Sequence, residues 1–391
     1  MIITKVEASG YRCLRDVKQE LQPYQILVGP NGSGKSAFLD VIGFLADLVT
    51  RGLKEAVFKR TENFYDLVWG RTGRSFSLAF EAGSPQENDR NLHPSAGLIR
   101  YEVEAKIDAN DDEIAISSER VTVTDASGNQ VPVYVNDGRT SSFAGKLDLG
   151  GRLLLNLPRD RSCLFVLSSL EIEEPALLSV VSLTDLLIDG GVKTVALESA
   201  SLLKPSSPVA GSSAVYDGSE LARRVAQLQE SSHEAFKSWV EHVQTGIPDL
   251  VDIRPMLCPE DRRRYLMVQY AGGVEVPQWM VSDGTLRLLA LTLLAYLPDF
   301  HGVYLVEEPE IGLHPTAIET VMQSLSSVYD GQVLITSHSP LVLSLPRPNQ
   351  LLCFQKTENG TTIIPGNEHP MLSQWKSGVN ITDLFAAGVL G

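Results

Sequence analysis

The stretch GPNGSGKS at residues 29–36 limits what this chain can fold into more than any other part of it. It fits G-x-x-x-x-G-K-[ST], with Gly29, Gly34, Lys35 and Ser36 in their places. It follows the apolar run Ile26, Leu27, Val28 and precedes the helical pattern Ala37, Phe38, Leu39, Val41, Ile42, Leu45. A strand, a Gly-rich loop and a helix in that order are the context of a phosphate-binding loop. Glycines let backbone N–H groups wrap the phosphates, and the helix N-terminus adds its positive dipole. The lysine reaches the outer phosphates and the serine hydroxyl ligates magnesium. A glycine turn that merely caps a helix would not need all four positions filled. ATP or GTP is therefore expected on Asn31, Gly32, Ser33, Gly34, Lys35, Ser36 and Ala37, with Ser36 on Mg2+.

Composition narrows the rest. At 391 residues and 43% apolar, the chain is long enough for two or three packed units but not for many independent domains. A net charge of −15 argues against a uniformly basic nucleic-acid coat, though a local patch can still bind. Cys13, Cys163, Cys258 and Cys353 lie far apart with no C-x-x-C pair, so neither a zinc site nor a disulfide framework is expected. The start MIITKVEASG is not a signal peptide, and the longest apolar run, Leu288 to Leu297, is about half of a bilayer span. A cytoplasmic protein with no membrane segment is expected.

Period-2 alternation over Ile2–Ala8, Phe76–Phe80, Ile99–Ile107, Ile114–Val123 and Val131–Val135 predicts strands separated by Gly, Asn and Asp turns. Between Leu39 and Leu53 the pattern is helical. From about 164 to 245 longer helical segments, Pro175–Ile188 and Ser219–Val243, flank the loop 204–218, and the block has the look of an insertion. Then a hairpin at Gly272-Gly273 is expected, followed by helix 283–297, strand 303–306, helix 315–329 and strand 333–337.

A phosphate loop implies a carboxylate strand elsewhere, and GVYLVEEPEIGLHP at 302–315 supplies it. The apolar run Val303 to Val306 delivers Glu307 and Glu308 to its carboxyl end, the edge where ligands of α/β sheets sit. One carboxylate can hold the magnesium shell while the other orients and polarises the attacking water. Acids around Pro309 would also suit a helix N-terminus, but a pair on one apolar strand is a more specific arrangement. Thirty residues beyond Glu308, the run Val333 to Ser337 ends in His338. A lone strand-end histidine is usually structural; behind the paired acids it is placed to bond the terminal phosphate or its water. In VSDGTLRLLALTLLAYL, 281–297, Ser282 is an expected N-cap with Asp283 in the first turn. By itself this is only a well-capped helix. It is also an anion site without a phosphate loop of its own, so it could serve a neighbour's nucleotide.

Taken together, GPNGSGKS, SDGT, LVEEPEIGLHP and TSHSP, in that order and spacing, resemble the ABC-type ATPases of the RecF, structural-maintenance-of-chromosomes and overcoming-lysogenization-defect group. The match covers about residues 1–50 and 247–345. The resemblance implies an α/β P-loop NTPase head with an antiparallel β lobe and a helical insertion. The expected divisions are 1–165, 166–246 and 247–391. It also implies an ATP-dependent homodimer, each ATP lying between one chain's phosphate loop and the other's signature serine. Lys35 and Ser36 would then bind phosphate and Mg2+, Glu307 the metal, and Ser282 and Gly284 the partner's γ-phosphate. Glu308 would be the hydrolytic carboxylate and His338 the switch histidine. Arg12, in GYRCLRD, stands where relatives often put a nucleotide-contacting arginine, and equally fits an exposed strand-end arginine.

Departures from the pattern are informative. The metal-side acid is Glu307 rather than Asp, one methylene longer, and SDGT replaces SGGQ, pointing away from transporters and toward the overcoming-lysogenization-defect branch. The loop glutamine has no obvious counterpart; Ser169 stands there. No heptad run long enough for a coiled-coil arm exists. Only 46 residues follow Leu345, too few for the TOPRIM nuclease that branch often carries. The resulting expectation is the ATPase subunit of a DNA-acting or anti-phage defence complex with a separate effector or nuclease. The alternative is an ATP-gated scaffold that holds a protein effector without touching DNA. Any DNA patch would draw on Arg51, Lys54, Lys59, Arg60, Arg223 and Arg224. The acidic runs 108–113 and 171–174 and the arginines 262–264 need no special role in such a chain.

Overall fold

The structure, a computed structural model, describes residues 1–83, 98–108, 112–124, 128–138, 140–143, 157–167, 175–188, 191–209, 214–297, 300–370 and 372. The chain opens with strands β1 (Ile2–Tyr11), β2 (Leu14–Glu20) and β3 (Tyr24–Val28), then helices α1 (Lys35–Arg51) and α2 (Leu53–Phe58). Strands β4 (Ser75–Gly83), β5 (Ile99–Ile107), β6 (Ile114–Thr124), β7 (Gln130–Asn136) and β8 (Ser141–Phe143) follow. Next come α3 (Cys163–Leu167), α4 (Pro175–Ile188), β9 (Val192–Val195), α5 (Ser199–Leu202) and β10 (Val215–Tyr216). The pair α6 (Leu221–Ser231) and α7 (His233–Gly246) leads to strands β11 (Leu250–Leu257), β12 (Arg264–Tyr270) and β13 (Val274–Pro277). The last stretch alternates: α8 (Asp283–Leu293), β14 (Val303–Glu307), α9 (Pro315–Ser326), β15 (Gln332–Ser337), α10 (Pro340–Leu343), β16 (Leu351–Thr357), β17 (Gly360–Pro365).

These strands form three sheets. An antiparallel lobe runs β2-β1-β4-β5-β6-β7-β8, and a small antiparallel sheet runs β11-β12-β13. The central sheet runs β10-β9-β14-β15-β3-β16-β17, parallel throughout except for its last pair. Alternation along its strands sorts side chains between two cores. Leu27, Leu305, Leu334 and Leu352 face the core that contains α1; Ile26, Val28, Val306 and Ile335 face the core that contains α8 and α9. Helix α1 lies between the central sheet and the antiparallel lobe, which is why both its sides are apolar, and Phe44 packs edge-on against Tyr11 and Phe76.

The expected helical stretch 166–246 needs correction. Within it, β9 pairs in parallel register with β14 (Val303↔Val192, Val306↔Val195), so this part of the chain supplies strands to the central sheet. The four-residue run VKTV is too short to show a period, and its partner lies more than a hundred positions downstream. The single helix expected over 219–243 is two, broken at Ser232, whose hydroxyl accepts from the N–H of Ala235 as an N-cap. The hairpin loop is three residues, 271–273, because Tyr270 pairs with Val274.

A buried carboxylate ties the antiparallel lobe to the segment that follows it. Glu119, 1% exposed, accepts from Tyr101 Oη at 2.8 Å, Ser162 Oγ at 2.5 Å and the N–H of Cys163 at 3.0 Å. Burial pushes its carboxyl, and the Cys163 thiol, upward. Glu119→Ala is expected to cost about 3 kcal/mol by orphaning these buried donors, against about 1 kcal/mol for Glu119→Gln, read as a fall in Tm of several degrees.

Candidate functional site

Parallel pairing brings the separate motifs to one edge. Glu307 on β14 is level with Thr336 on β15, and Ser337 is level with Val28, the last residue before the phosphate loop. Three strand ends therefore deliver the phosphate loop, the two acids and His338 side by side at the carboxyl edge of the sheet.

Lys35 is 6% exposed and its Nζ donates to the carbonyls of Gly29 at 2.7 Å and Pro30 at 3.0 Å, which hold it under the loop. Burial lowers its pKa, opposed by the nearby charges of Glu308, Glu307 and Glu310. Ser36 Oγ donates to Glu307 Oε2 at 2.7 Å, so the hydroxyl and carboxylate expected on magnesium are already in contact. Gly34 has φ +107, and a side chain there would run into Thr361 and the Cys13 sulfur; only glycine fits.

Glu308 sits in the left-handed region at φ +47, a position that only a constrained surrounding maintains for a non-glycine residue. Its N–H donates to the Thr336 carbonyl at 2.9 Å, and its Oε1 lies 2.9 Å from His338 Nδ1. A carboxylate beside an imidazole can share a proton with it and can hold a water between them and a phosphate.

Ser282 caps α8: its hydroxyl accepts from the Thr285 N–H at 3.1 Å and donates to Thr285 Oγ1 at 2.8 Å, and the residue is exposed. Gly284 is glycine because a Cβ would approach the Gly312 carbonyl to 2.7 Å, which seats the helix on the loop that follows Glu308. Helix α8 packs in the core on the sheet face opposite to α1.

Arg12 is at φ +50 and its guanidinium pairs with Asp40 at 3.0 Å. It lines an open cleft of about 620 Å³ with Cys13, Thr61, Trp69 and Arg71, adjoining the phosphate loop through Cys13. Two contacts escaped the sequence reading. Ser337 Oγ donates to Glu310 Oε1 at 2.5 Å, making Glu310 a third acid beside the site. Thr361 Oγ1 donates to the Ser33 carbonyl at 2.9 Å, holding the phosphate loop from β17. The EEPE run signals the first; nothing near Thr361 in the sequence signals the second. Ser169 and the acids 171–174 lie outside the described residues, as do 109–111 and everything after 372.

Each cation of the candidate DNA patch has a carboxylate partner. Arg60, nearly buried, bonds Asp40 and Asp47, and Lys59 and Arg51 also turn to Asp47. Lys54 pairs with Glu113, and Arg223 and Arg224 both pair with Glu220. Arg263 and Arg264 pair with Asp261 and Glu230. No described helix is long and apolar enough to cross a membrane.

Two family models match the chain. One, described as "AAA ATPase domain", matches residues 1–124; the other, "AAA domain, putative AbiEii toxin, Type IV TA system", matches 179–344. The Old nuclease of Escherichia phage P2 is 31% identical over 92 residues, covering 20% of this chain and 16% of that protein. Among solved structures, an Smc head bound to the C-winged helix domain of ScpA aligns at TM-score 0.57 and 13% identity, covering 93% of this chain and 97% of that one. An Smc head domain with an extended coiled coil, bound to the C-terminal domain of ScpA from Pyrococcus furiosus, aligns at TM-score 0.52 and 13% identity, covering 93% and 96%. These structures show a shared fold.

Proposed function

Because this chain belongs to the RecF, structural-maintenance-of-chromosomes and overcoming-lysogenization-defect group of ABC-type P-loop ATPases, we propose that it hydrolyses ATP at sites shared between two copies of itself. The observation that carries this reading is the Glu308–His338 pair, set at strand ends next to a phosphate loop whose Ser36 already touches Glu307. The ATP phosphates would lie on the loop over Lys35, with Arg12 beside them at the mouth of the adjoining cleft and the nucleoside end toward Trp69. Glu308 takes the proton of an attacking water, and His338 keeps that carboxylate oriented and bonds the terminal phosphate.

The donors fit magnesium. A hydroxyl and a carboxylate in contact are hard oxygen ligands, and this ion is usually held by one or two carboxylates plus substrate phosphates. Among the described residues no group of three or more His, Cys, Asp or Glu side chains is placed to hold a metal ion. When bound at Ser36 and Glu307, the ion supplies charge neutralisation on the phosphates.

The shared site rests on Ser282, exposed at the N-terminus of α8 with its hydroxyl bonded only within its own first turn, to Thr285. ATPase activity per chain is expected to rise with protein concentration until dimers saturate. Ser282→Arg should lower it by an order of magnitude or more, by crowding the partner's nucleotide. A rate strictly proportional to protein, with Ser282→Arg fully active, would sink the shared site.

As to biological role, we propose the cytoplasmic ATPase subunit of an anti-phage defence or DNA-acting complex whose effector or nuclease is a separate protein. The similarity to the Old nuclease and the toxin–antitoxin wording of one family description support it. The second reading, an ATP-gated scaffold that holds a protein effector without DNA contact, is favoured by the pairing of all six candidate DNA-binding cations with carboxylates. The two separate on DNA binding by the Glu308→Gln protein with ATP. Charge reversal at Lys54 and Lys59 should change nothing on the scaffold reading. ATP-dependent binding that falls steeply with salt, and falls further in that double variant, would restore direct DNA contact.

A further inference from the structure

Helix α1 carries two carboxylates that no step above uses. Asp40 lies one turn beyond Ser36, and Asp47 lies two turns further on. Asp40 is the focus of three donors from two separate segments, the end of β1 and the turn after α2. Its Oδ2 accepts from Tyr11 Oη at 2.7 Å and pairs with Arg12 Nη2 at 3.0 Å, while its Oδ1 accepts from Arg60 Nε at 2.7 Å. Tyr11 is fully buried and the Arg60 side chain is 8% exposed, so two immobile donors fix the carboxylate's orientation. The third donor, Arg12, is the most exposed of the three, and with Arg60 it lines the cleft beside the phosphate loop.

The backbone agrees with a held arginine. Arg12 is in the left-handed region at φ +50, and its N–H donates to the Leu67 carbonyl at 2.8 Å. A non-glycine residue stays there when its surroundings over-determine it. Charge bookkeeping points the same way. Asp40 and Asp47 face Arg12, Arg51, Arg60 and Lys59, so the network ends with two cations in excess. Arg12 is the part of that excess at the cleft, because Arg60 is buried, Lys59 is spent on both oxygens of Asp47, and Arg51 does not line the cleft.

We propose that Asp40 is the positioning residue for Arg12: it holds the guanidinium at the mouth of the cleft, where the remaining N–H groups meet the phosphates of a bound nucleotide. Helix α1 thereby binds the nucleotide twice, directly through its N-terminus and Ser36 and indirectly through Asp40 and Arg12. Tyr11 and Arg60 brace the carboxylate. This inference rests on the nucleotide lying as set out under Proposed function.

A double-mutant cycle with a fluorescent ATP analogue tests it. Arg12→Ala should weaken binding roughly tenfold, the loss of one charge-assisted contact. Asp40→Asn should weaken it by a comparable factor in the wild-type background and by less than about twofold in the Arg12→Ala background, since the two act through one guanidinium. Asp40→Glu should recover part of the loss. Melting temperatures separate the roles: loosening of Arg60 lowers Tm in both backgrounds alike, whereas the affinity effect appears in one. If Asp40→Asn weakens binding equally in both backgrounds, or leaves it unchanged while Arg12→Ala weakens it, Asp40 does not position Arg12. If Lys35→Ala binds the analogue as wild type does, the nucleotide site itself is misplaced and the inference falls with it.

Discussion

Replacing Glu308 by glutamine is expected to slow ATP hydrolysis by roughly 10²- to 10⁴-fold while leaving nucleotide affinity within about twofold of wild type. The size follows from what is removed. Glutamine keeps the length and one acceptor oxygen, so the contact with His338 Nδ1, now 2.9 Å from Oε1, survives. The carboxylate's ability to take a proton from water does not. On the proposed placement binding is spared, because the phosphate contacts would come from the loop, from Lys35 and from α1, not from β14. ATP should then persist unhydrolysed and the closed dimer with it, seen as an ATP-dependent doubling of mass that decays in the wild type and not in the variant. Single-turnover hydrolysis is the measurement that decides. Wild-type rates in Glu308→Gln would move the base elsewhere, Glu307 being the first suspect and Glu310 the next, held as it is by Ser337.

Lys35→Ala should fail one step earlier. The ammonium is buried under the loop, satisfied by two carbonyls of that loop, and lies within the field of three acids. Its removal would take away the cation proposed to reach the outer phosphates, and leaves the Gly29 and Pro30 carbonyls without their donor. Affinity for ATP is expected to drop by roughly 10²-fold, on the scale of one or two charge-assisted hydrogen bonds. Added ATP with Mg2+ should raise the Tm of wild type and of Glu308→Gln, but not of Lys35→Ala, because stabilisation by ligand scales with its occupancy. The contrast between the two variants, one binding without chemistry and the other not binding, is what a phosphate loop with a separate water-activating acid requires.

Much of the ATPase core was legible before any coordinates, for a local reason. Strand β3 with its loop and α1, strand β14 with its two acids, and β15 with the following histidine are each specified within fewer than thirty contiguous residues. Apolar periodicity, glycine conformations and strand-end polarity report them directly. The N-cap at Ser282 was legible on the same grounds, and its hydroxyl does accept the Thr285 N–H. Where several segments had to meet, reading failed. The strand β9 is four residues long and belongs to the central sheet only through β14. Thr361 touches the phosphate loop across more than three hundred positions. The basic residues after α1 looked free for DNA because their partners, Asp40 and Asp47, sit on the helix among apolar neighbours and reach them only when the chain turns back at α2.

What the sequence determined by itself was the set of chemical groups and the element that carries each: a phosphate loop on α1, paired acids on β14, a histidine after β15 and a capped serine on α8. What only the tertiary structure decided was their adjacency. The register of three parallel strands sets Val28, Glu307 and Ser337 at one edge and sends α1 and α8 to opposite faces of the sheet. Backbone conformation is governed by neighbours a few residues apart, so it is written locally. Strand register and the pairing of distant charges are settled by burying one face of every element at once, and no short stretch of the chain carries that information.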